Sequence, residues 1–318
     1  MSDNESKKAR REAARERARI AREKEKARRR RNRTFLWSGI IVLALAVVTV
    51  VTLVVVNSST PAGPGPKNMA SDGIVLKGDG SKITAVRTDA IKSGGKPTPT
   101  VQNDKDTTAH ITIYEDYMCP YCNQFETTNM TQIKSWVKAG SATLELHPFA
   151  LLDSSSLGTK YSSRATNAAA CVANYEPDEF LNVNVAFYKN QPSEQTKGLT
   201  DDQIVSLVKK AGATNSKIPG CITSGKFRPW VAAETNRTLN DKIPNSDVAK
   251  LTGTPLVLVN GKQYASTANA ATQPLTDASA FAAFVEQTVA GSAGSSGSAT
   301  STATPSATAT PSASASAG

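Results

Sequence analysis

The chain has 318 residues, a formal net charge of +10, 39% hydrophobic residues and four cysteines, enough length for two ordinary domains. Its charge is local: residues 1–34 carry 15 Lys/Arg and 6 Asp/Glu, which leaves 22 and 21 for everything after them. The overall basicity is therefore no argument for a nucleic-acid-binding body. The run RRRRNR in the tail could bind a polyphosphate by counterion release, and its meaning depends on the segment next to it.

That segment is FLWSGIIVLALAVVTVVTLVVV, residues 35–56, 22 positions without a charge. As a helix it would reach about 33 Å against a hydrocarbon core of about 30 Å, so a transmembrane anchor is expected. The Lys/Arg excess on its N-terminal side keeps residues 1–34 in the cytoplasm and exports the C-terminal side. The basic tail then reads as a topology determinant that also touches anionic lipid, with no nucleic acid as partner. A cleaved signal peptide would have a shorter apolar core and a small-residue cleavage site, and the adjoining NSSTPAGPGP offers no good Ala-x-Ala.

Residues 57–72 read as a flexible Pro/Gly/Ser linker. At the far end, residues 291–318 hold no charge and no large apolar residue; they cannot offset chain entropy by burial and are expected to form a disordered Ser/Thr/Ala/Pro tail. Residues 73–290 remain as one exported domain, long enough to bury a core without staples.

Within that domain, IVLKGDGSKITAVRT, residues 74–88, reads as a hairpin at a sheet edge. HITIYED, residues 110–116, alternates Ile111 and Ile113 against Thr112 and Tyr114, the pattern of a strand. Cys122, Phe125, Met130, Ile133 and Val137 then recur near helical spacing, with Gly140 as a stop, which puts Cys119 at the helix N-terminus. TLELHPFA, residues 143–150, is a second strand, and the three elements make a βαβ unit with a right-handed crossover expected.

From about residue 160 to 250 the pattern is helical. Helices are expected at Ser163–Ala173, Glu179–Lys189 and Pro229–Leu239. Thr200 with Gln203 makes a capping box for another, with Ile204, Leu207, Val208 and Ala211 on its apolar stripe and Gly212 closing it. Strands return in TPLVLVNGKQYA, where Asn260-Gly261 spells a hairpin with a type I′ turn. A last helix starts near Thr276 or Asp277 and carries Phe281, Phe284, Val285 and Val289 on one stripe.

The chemistry concentrates in DYMCPYCNQF, residues 116–125. Outside the membrane thiols are free to oxidise, and three readings compete for Cys119 and Cys122. A zinc site needs about four ligands, commonly in two close pairs; Cys171 and Cys221 are far apart in sequence and His110 and His147 lack ligand spacing, so no metal is expected. A purely structural bridge over so small a loop would remove little chain entropy.

In the redox reading each residue has a reason. Unpaired N–H groups and the positive dipole end at a helix N-terminus favour a thiolate at Cys119. Lowering its pKa by about three units would stabilise the thiolate by roughly 4 kcal/mol, about 90 mV of oxidising power. Cys122, one turn further in, is shielded and expected to resolve the mixed disulfide. Pro120 sits in the first turn, where its missing N–H is no loss.

YEDYMCPYC at a strand end, a helical insert over about 160–250 and GTPLVLVNG after it make residues 73–290 resemble the DsbA-like thiol:disulfide oxidoreductases of the thioredoxin superfamily, here with a membrane anchor. The fold class implied is α/β, a thioredoxin-like fold with a large helical insert, preceded by one transmembrane helix. The resemblance implies that Pro255 is cis beside the CxxC and that the backbone of Thr254 pairs with a bound substrate strand, an ordinary trans X-Pro being the base-rate alternative. It also implies a structural disulfide between Cys171 and Cys221, with two buried free thiols or a second redox pair as the other possibilities. Two positions depart from the family. The Glu that many members bury six positions before the first cysteine is Ile113 here; the nearest acids are Glu115 and Asp116, whose role stays open between a proton shuttle and a solvated or capping carboxylate. The dipeptide Pro120-Tyr121 lacks the His of strong oxidases, so no imidazolium stabilises the thiolate.

The function implied is an extracytoplasmic dithiol oxidase that gives its Cys119–Cys122 disulfide to unfolded or reduced secreted clients. It would use no cofactor and be reoxidised by a membrane partner. Two alternatives stand beside it: a disulfide isomerase or reductase using the same cysteines, and a non-catalytic anchored peptide-binding module with its cysteines permanently bridged. Replacing Cys119 by Ala separates the module, which would keep its function, from the enzymes.

Overall fold

The computed structural model of the chain describes residues 62–102, 108–265 and 274–295. The basic tail 1–34, the anchor expected at 35–56 and the chain beyond 295 lie outside the described residues. Among the described residues no helix is long and apolar enough to cross a membrane.

The centre of the fold is the expected βαβ unit: β3 (Ala109–Glu115), α1 (Pro120–Ala139) and β4 (Ala142–Pro148), with β3 and β4 parallel. On the β4 side lie β1 (Ile74–Gly78) and, at the edge, β2 (Ile83–Ala85); on the β3 side lie β5 (Leu256–Val259) and β6 (Lys262–Ala265). The sheet order is β2-β1-β4-β3-β5-β6. α1 stops at Gly140, whose φ of 81° is left-handed and whose N–H reaches the carbonyls of Trp136 and Val137, a turn that a Cβ would strain.

The alternation in HITIYED does not give a polar face, because Thr112 and Tyr114 are buried along with Ile111 and Ile113. The register explains it. Ile111 pairs with Val259 and Ile113 with Val257, while Thr112 pairs with Leu258 and Tyr114 with Leu256. The first set joins the main core with Phe125, Ile133 and Phe281. Tyr114, Leu256 and Leu258 join a smaller cluster with Phe149, Ile243 and Leu251. Both faces of the central strands are covered, as a sheet with a parallel centre requires.

The insert comprises α2 (Tyr161–Tyr175), α3 (Phe180–Lys189), α4 (Asp201–Lys210), α5 (Ile218–Thr223) and α6 (Arg228–Asn240). The capping box is formed: Thr200 Oγ1 accepts from the Gln203 N–H at 3.2 Å and Gln203 Oε1 accepts from the Thr200 N–H at 2.8 Å. α5 has no counterpart among the helices expected from sequence. Here Pro219 falls in the first turn, where it is harmless. Asn260 and Gly261 take φ of 46° and 75°, the two positive values a type I′ turn needs. α7 (Ala278–Ser295) is opened by Asp277, whose Oδ1 accepts from the N–H groups of Ser279 and Ala280, and it runs past the domain boundary placed at 290.

The linker expected at 57–72 is corrected for its described part. Residues 62–72 are packed on the domain: Met69, Asn68 and Asp72 are buried, and the Asp72 carboxylate accepts from Arg237 Nε at 2.7 Å, Arg237 Nη2 at 2.8 Å and Trp230 Nε1 at 3.1 Å. Asn68 Nδ2 donates to the Ala173 carbonyl at 2.8 Å. A Pro/Gly/Ser-rich composition hid a short run, KNMASD, that carries these anchors.

Candidate active site

The turn between β3 and α1 is built on Asp116. Its Oδ1 accepts from the Met118 N–H at 2.7 Å and from Ser162 Oγ at 2.7 Å, and its Oδ2 accepts from the Leu152 N–H at 2.8 Å. One side chain thus holds the chain leading into the CxxC to the loop after β4 and to the start of α2. Asp116 is fully buried, and burial raises its pKa to about 6 against the opposing effect of those donors. Of the roles left open for Asp116, a solvated carboxylate does not fit its burial, and a capping carboxylate does.

Cys119 is the N-cap of α1 and Pro120 opens the helix. Both cysteines are unbridged, so the structure describes the dithiol. The two thiols differ. Cys119 is brought down to about 7, first by the hydrogen bond from Cys122, then by Thr254 and the backbone N–H groups of Cys122 and Tyr121, against the effect of burial. Cys122 is pushed well up, first by burial. An inequality of this kind is what a nucleophile and a shielded partner require. The stabilisation at Cys119, about 3 kcal/mol for two pKa units, is smaller than the three units considered from sequence. Tyr121 projects half-exposed, at 50%, and contributes no charge.

Cys119 Sγ donates to the Thr254 carbonyl at 3.4 Å, a bond that only the thiol form can make. The Thr254–Pro255 peptide is cis, and both residues are buried at the entry to β5. Cys119, Pro120, Tyr121, Cys122, Thr254 and Pro255 therefore form one locus. Cys171 and Cys221 lie apart from it, joined by a disulfide between α2 and α5.

The helical insert also reaches the site, through residues that the sequence did not single out. Tyr117, buried under the turn, donates its hydroxyl to Asn184 Oδ1 at 2.8 Å and packs its ring against Phe187 and Tyr188 of α3. Asn123 Nδ2 donates to the Tyr188 carbonyl at 2.7 Å, and Gln191 Nε2 to the Cys119 carbonyl at 3.0 Å. α3 is thereby clamped to the first turn of α1. Glu115 and Glu126 are buried beside these residues, at 0% and 3% exposure. Glu126 could have been found, as a charged residue on the Cys122, Phe125, Met130, Ile133 stripe; the α3 contacts are tertiary and had no signal in sequence.

Comparison with known proteins agrees with this frame. A family model described as Thioredoxin matches residues 95–278. Among solved structures, the chain is similar to the reduced disulfide bond oxidoreductase DsbG from Mycobacterium tuberculosis, with 28% identity, a TM-score of 0.45, and coverage of 60% of this chain and 86% of that one. Reduced DsbA from Mycobacterium tuberculosis gives 25% identity and a TM-score of 0.48, covering 70% and 98%. MdbA, a thiol-disulfide oxidoreductase from Corynebacterium diphtheriae, gives 19% identity and a TM-score of 0.46, covering 69% and 95%. No curated protein matches. With the family model spanning more than half of the chain and the CxxC standing at the β3–α1 junction inside it, the chain belongs to the thioredoxin family.

Proposed function

We propose that the chain is an extracytoplasmic thiol:disulfide oxidoreductase working as a dithiol oxidase on reduced secreted proteins. The observation that carries this reading is the unequal thiol pair: Cys119 at a helix N-terminus with its pKa brought down to about 7, beside Cys122, which burial holds protonated. In the oxidised enzyme these two sulfurs form a disulfide. A client thiolate attacks Cys119 Sγ, the Cys119–Cys122 bond breaks, and its electron pair leaves on Cys122. A second client thiolate then attacks the client sulfur of the mixed disulfide, giving the client disulfide and releasing Cys119 as thiolate.

This balance reassigns the resolving step. Attack by Cys122 on Cys119 would return the client reduced, so in the oxidase direction Cys122 is the leaving group, and it resolves only in the reductive or escape direction. The client segment flanking its cysteine is proposed to pair with the Thr254 backbone, whose carbonyl lies 3.4 Å from Cys119 Sγ. Two electrons then pass to a membrane partner that restores the disulfide, and the anchor at 35–56 would hold the domain near it. Cys171–Cys221 is assigned a structural role.

A second reading, isomerase or reductase, is favoured by one observation: a Cys119 pKa near 7 with an uncharged Tyr121 is a mild stabilisation of the thiolate. The reduction potential of Cys119/Cys122 in the full-length chain, equilibrated with glutathione, decides between them. A value near or above about −150 mV supports the oxidase, by comparison with about −120 mV for DsbA and −180 mV for protein disulfide isomerase. A value below about −230 mV refutes it, and no equilibration at all would turn the site into a bridged binding module.

A further inference from the structure

The end of α3 reaches the backbone on both sides of the Cys119 thiol. The Asp116 carbonyl, which accepts the Cys119 N–H at 3.0 Å, also accepts the Tyr188 hydroxyl at 3.3 Å. The Cys119 carbonyl accepts the Asn123 N–H at 3.2 Å and Gln191 Nε2 at 3.0 Å. Asn123 Nδ2 donates in return to the Tyr188 carbonyl at 2.7 Å, and that carbonyl also accepts the Gln191 N–H at 3.3 Å. Gln191 stands partly buried, one residue beyond Asn190, the C-cap of α3. It is tied at its backbone as well as at its amide.

The bond from Gln191 is not needed to complete the helix. The carbonyl of an N-cap residue receives the first intrahelical N–H, here from Asn123, and one such donor already satisfies it. A second donor adds position and charge. Charge counts at this peptide because Pro120 follows: a peptide unit ending in proline has no N–H to offset the negative end of its carbonyl. That oxygen belongs to the same residue as the thiol. The partial positive charge that Gln191 holds against it favours a negative charge on Cys119 Sγ. The titratable groups packed around the turn are Cys122 and Glu126 of α1, Glu115 of β3, Asp116 and Tyr117 of the turn itself and Tyr188 of α3. None is a cation, so dipoles decide how readily the thiolate forms.

We propose that Gln191 is a positioning residue for the thiol exchange, holding and polarising the Cys119 carbonyl so that the helical insert becomes part of the reactive thiol's environment, an inference that rests on the redox reading of the CxxC pair. The insert then does more than cover the turn. Tyr188 and Asn123 fix the end of α3 against the first turn of α1, and from that fixed point the Gln191 amide sets how readily Cys119 stands as a thiolate. Gln191 touches no reacting atom and acts only through the backbone of Cys119.

The test is the pH dependence of Cys119 alkylation by iodoacetamide in the reduced full-length chain, for the wild type, Gln191→Leu, Gln191→Glu and Gln191→Lys. Leucine removes the donor at similar volume, glutamate keeps the shape and brings a negative charge, and lysine brings a positive one. The midpoint is expected to rise by about half a unit in Gln191→Leu, which slows alkylation about threefold at about pH 6. It is expected to rise further in Gln191→Glu and to fall below wild type in Gln191→Lys, each by somewhat under one unit at a partly exposed position. A loss of packing alone would displace the two charged variants in the same direction. That result, or a Gln191→Leu midpoint within about 0.2 unit of wild type, overturns the assignment and leaves the redox reading intact. A wild-type midpoint at or above about 8.5, the value of an ordinary thiol, overturns the unequal pair and this inference with it. Should the leucine variant not fold, the two charged variants carry the test: opposite displacements support the assignment, and displacement in one direction refutes it.

Discussion

Removing the Cys171–Cys221 bridge tests the division of labour between the two cysteine pairs. The bridge ties α2 to α5 across a sequence separation of 50, and its two residues are 0% and 5% exposed. In the chain-entropy model, closing a loop of that length costs the unfolded chain about 14 cal/mol/K, or about 4 kcal/mol at 25 °C. α5 has six residues, far fewer than a helix needs to persist alone, so it depends on the bridge and on the burial of Ile218 and Ile222. In the double variant Cys171→Ala, Cys221→Ala, a loss of about 4 kcal/mol is expected. With a urea slope of about 2 kcal/mol/M, that is a midpoint lower by about 2 M. The assay is urea unfolding of the full-length chain, with hydrogen exchange expected to rise first around α5 while β3 and β4 stay protected. The glutathione equilibrium of Cys119/Cys122 should not move. A loss below about 1 kcal/mol would refute the stabilising role, and a displaced equilibrium would refute the separation of the two pairs.

Three further outcomes are expected. Native Asp116, raised from 3.8 to about 6, holds its proton to higher pH than the unfolded chain does, so stability falls as pH rises from about 4 to about 6, by about 3 kcal/mol for this residue. Glu115, Glu126 and Glu234, raised by burial, act in the same direction; the melting temperature should be higher at about pH 5 than at about pH 8, and the reverse order would sink this account. Arg237→Ala leaves the buried Asp72 carboxylate without its two guanidinium donors and is expected to cost about 3 kcal/mol in thermal or urea unfolding; a cost near zero would mean that residues 62–72 are not held through that pair. Tyr121→His sets a cation near the Cys119 thiolate at a half-exposed position, worth about 1 kcal/mol after solvent screening. That lowers the Cys119 pKa by somewhat under one unit and raises the potential by about 20 mV, and an unchanged alkylation profile would count against a thiolate governed by local charge.

The parts of the fold that were legible are those written in local chemistry. The Asn260-Gly261 turn, the Thr200–Gln203 capping box and the Gly140 stop each rest on a backbone demand that few residues meet, and each is found where its residues stand. The CxxC at a strand-to-helix junction belongs with them, because a helix N-terminus is itself a local feature. What escaped is tertiary. Thr112 and Tyr114 alternate as an exposed face would, and only the cover from Phe149, Ile243 and Leu251 buries that side. Residues 62–72 have the composition of a linker, yet Asp72 has a partner 165 positions away in Arg237. The role of Glu115 and Asp116 stayed open because nothing in a linear sequence says that α2 and α3 close over them. At Glu126 the signal existed, a charge within an apolar stripe, and such local inconsistencies concentrate at functional sites.

The direction of electron flow turns on how much of the driving force the Cys119 thiolate supplies. Thioredoxin, with a thiol pKa near 7, lies at about −270 mV, and DsbA, with a pKa near 3.5, at about −120 mV. At neutral pH that pKa gap accounts for roughly 100 mV of the difference, at about 30 mV per unit. Cys119, at about 7, draws little on this source, so thiolate stabilisation alone does not make the pair a strong oxidant. A moderate potential is still compatible with disulfide formation in an exported domain. Outside the cytoplasm oxidising conditions can be maintained kinetically, by an oxidase partner and not by a glutathione buffer, so a pair that is continually re-formed can donate its disulfide at a potential between about −150 and −230 mV. Between those limits the potential alone does not separate the readings, and the steady-state redox state of Cys119/Cys122 in cells does. A pair held mostly oxidised despite a potential near that of protein disulfide isomerase is coupled to an oxidant, and a pair held mostly reduced is coupled to a source of electrons and works as the isomerase or reductase.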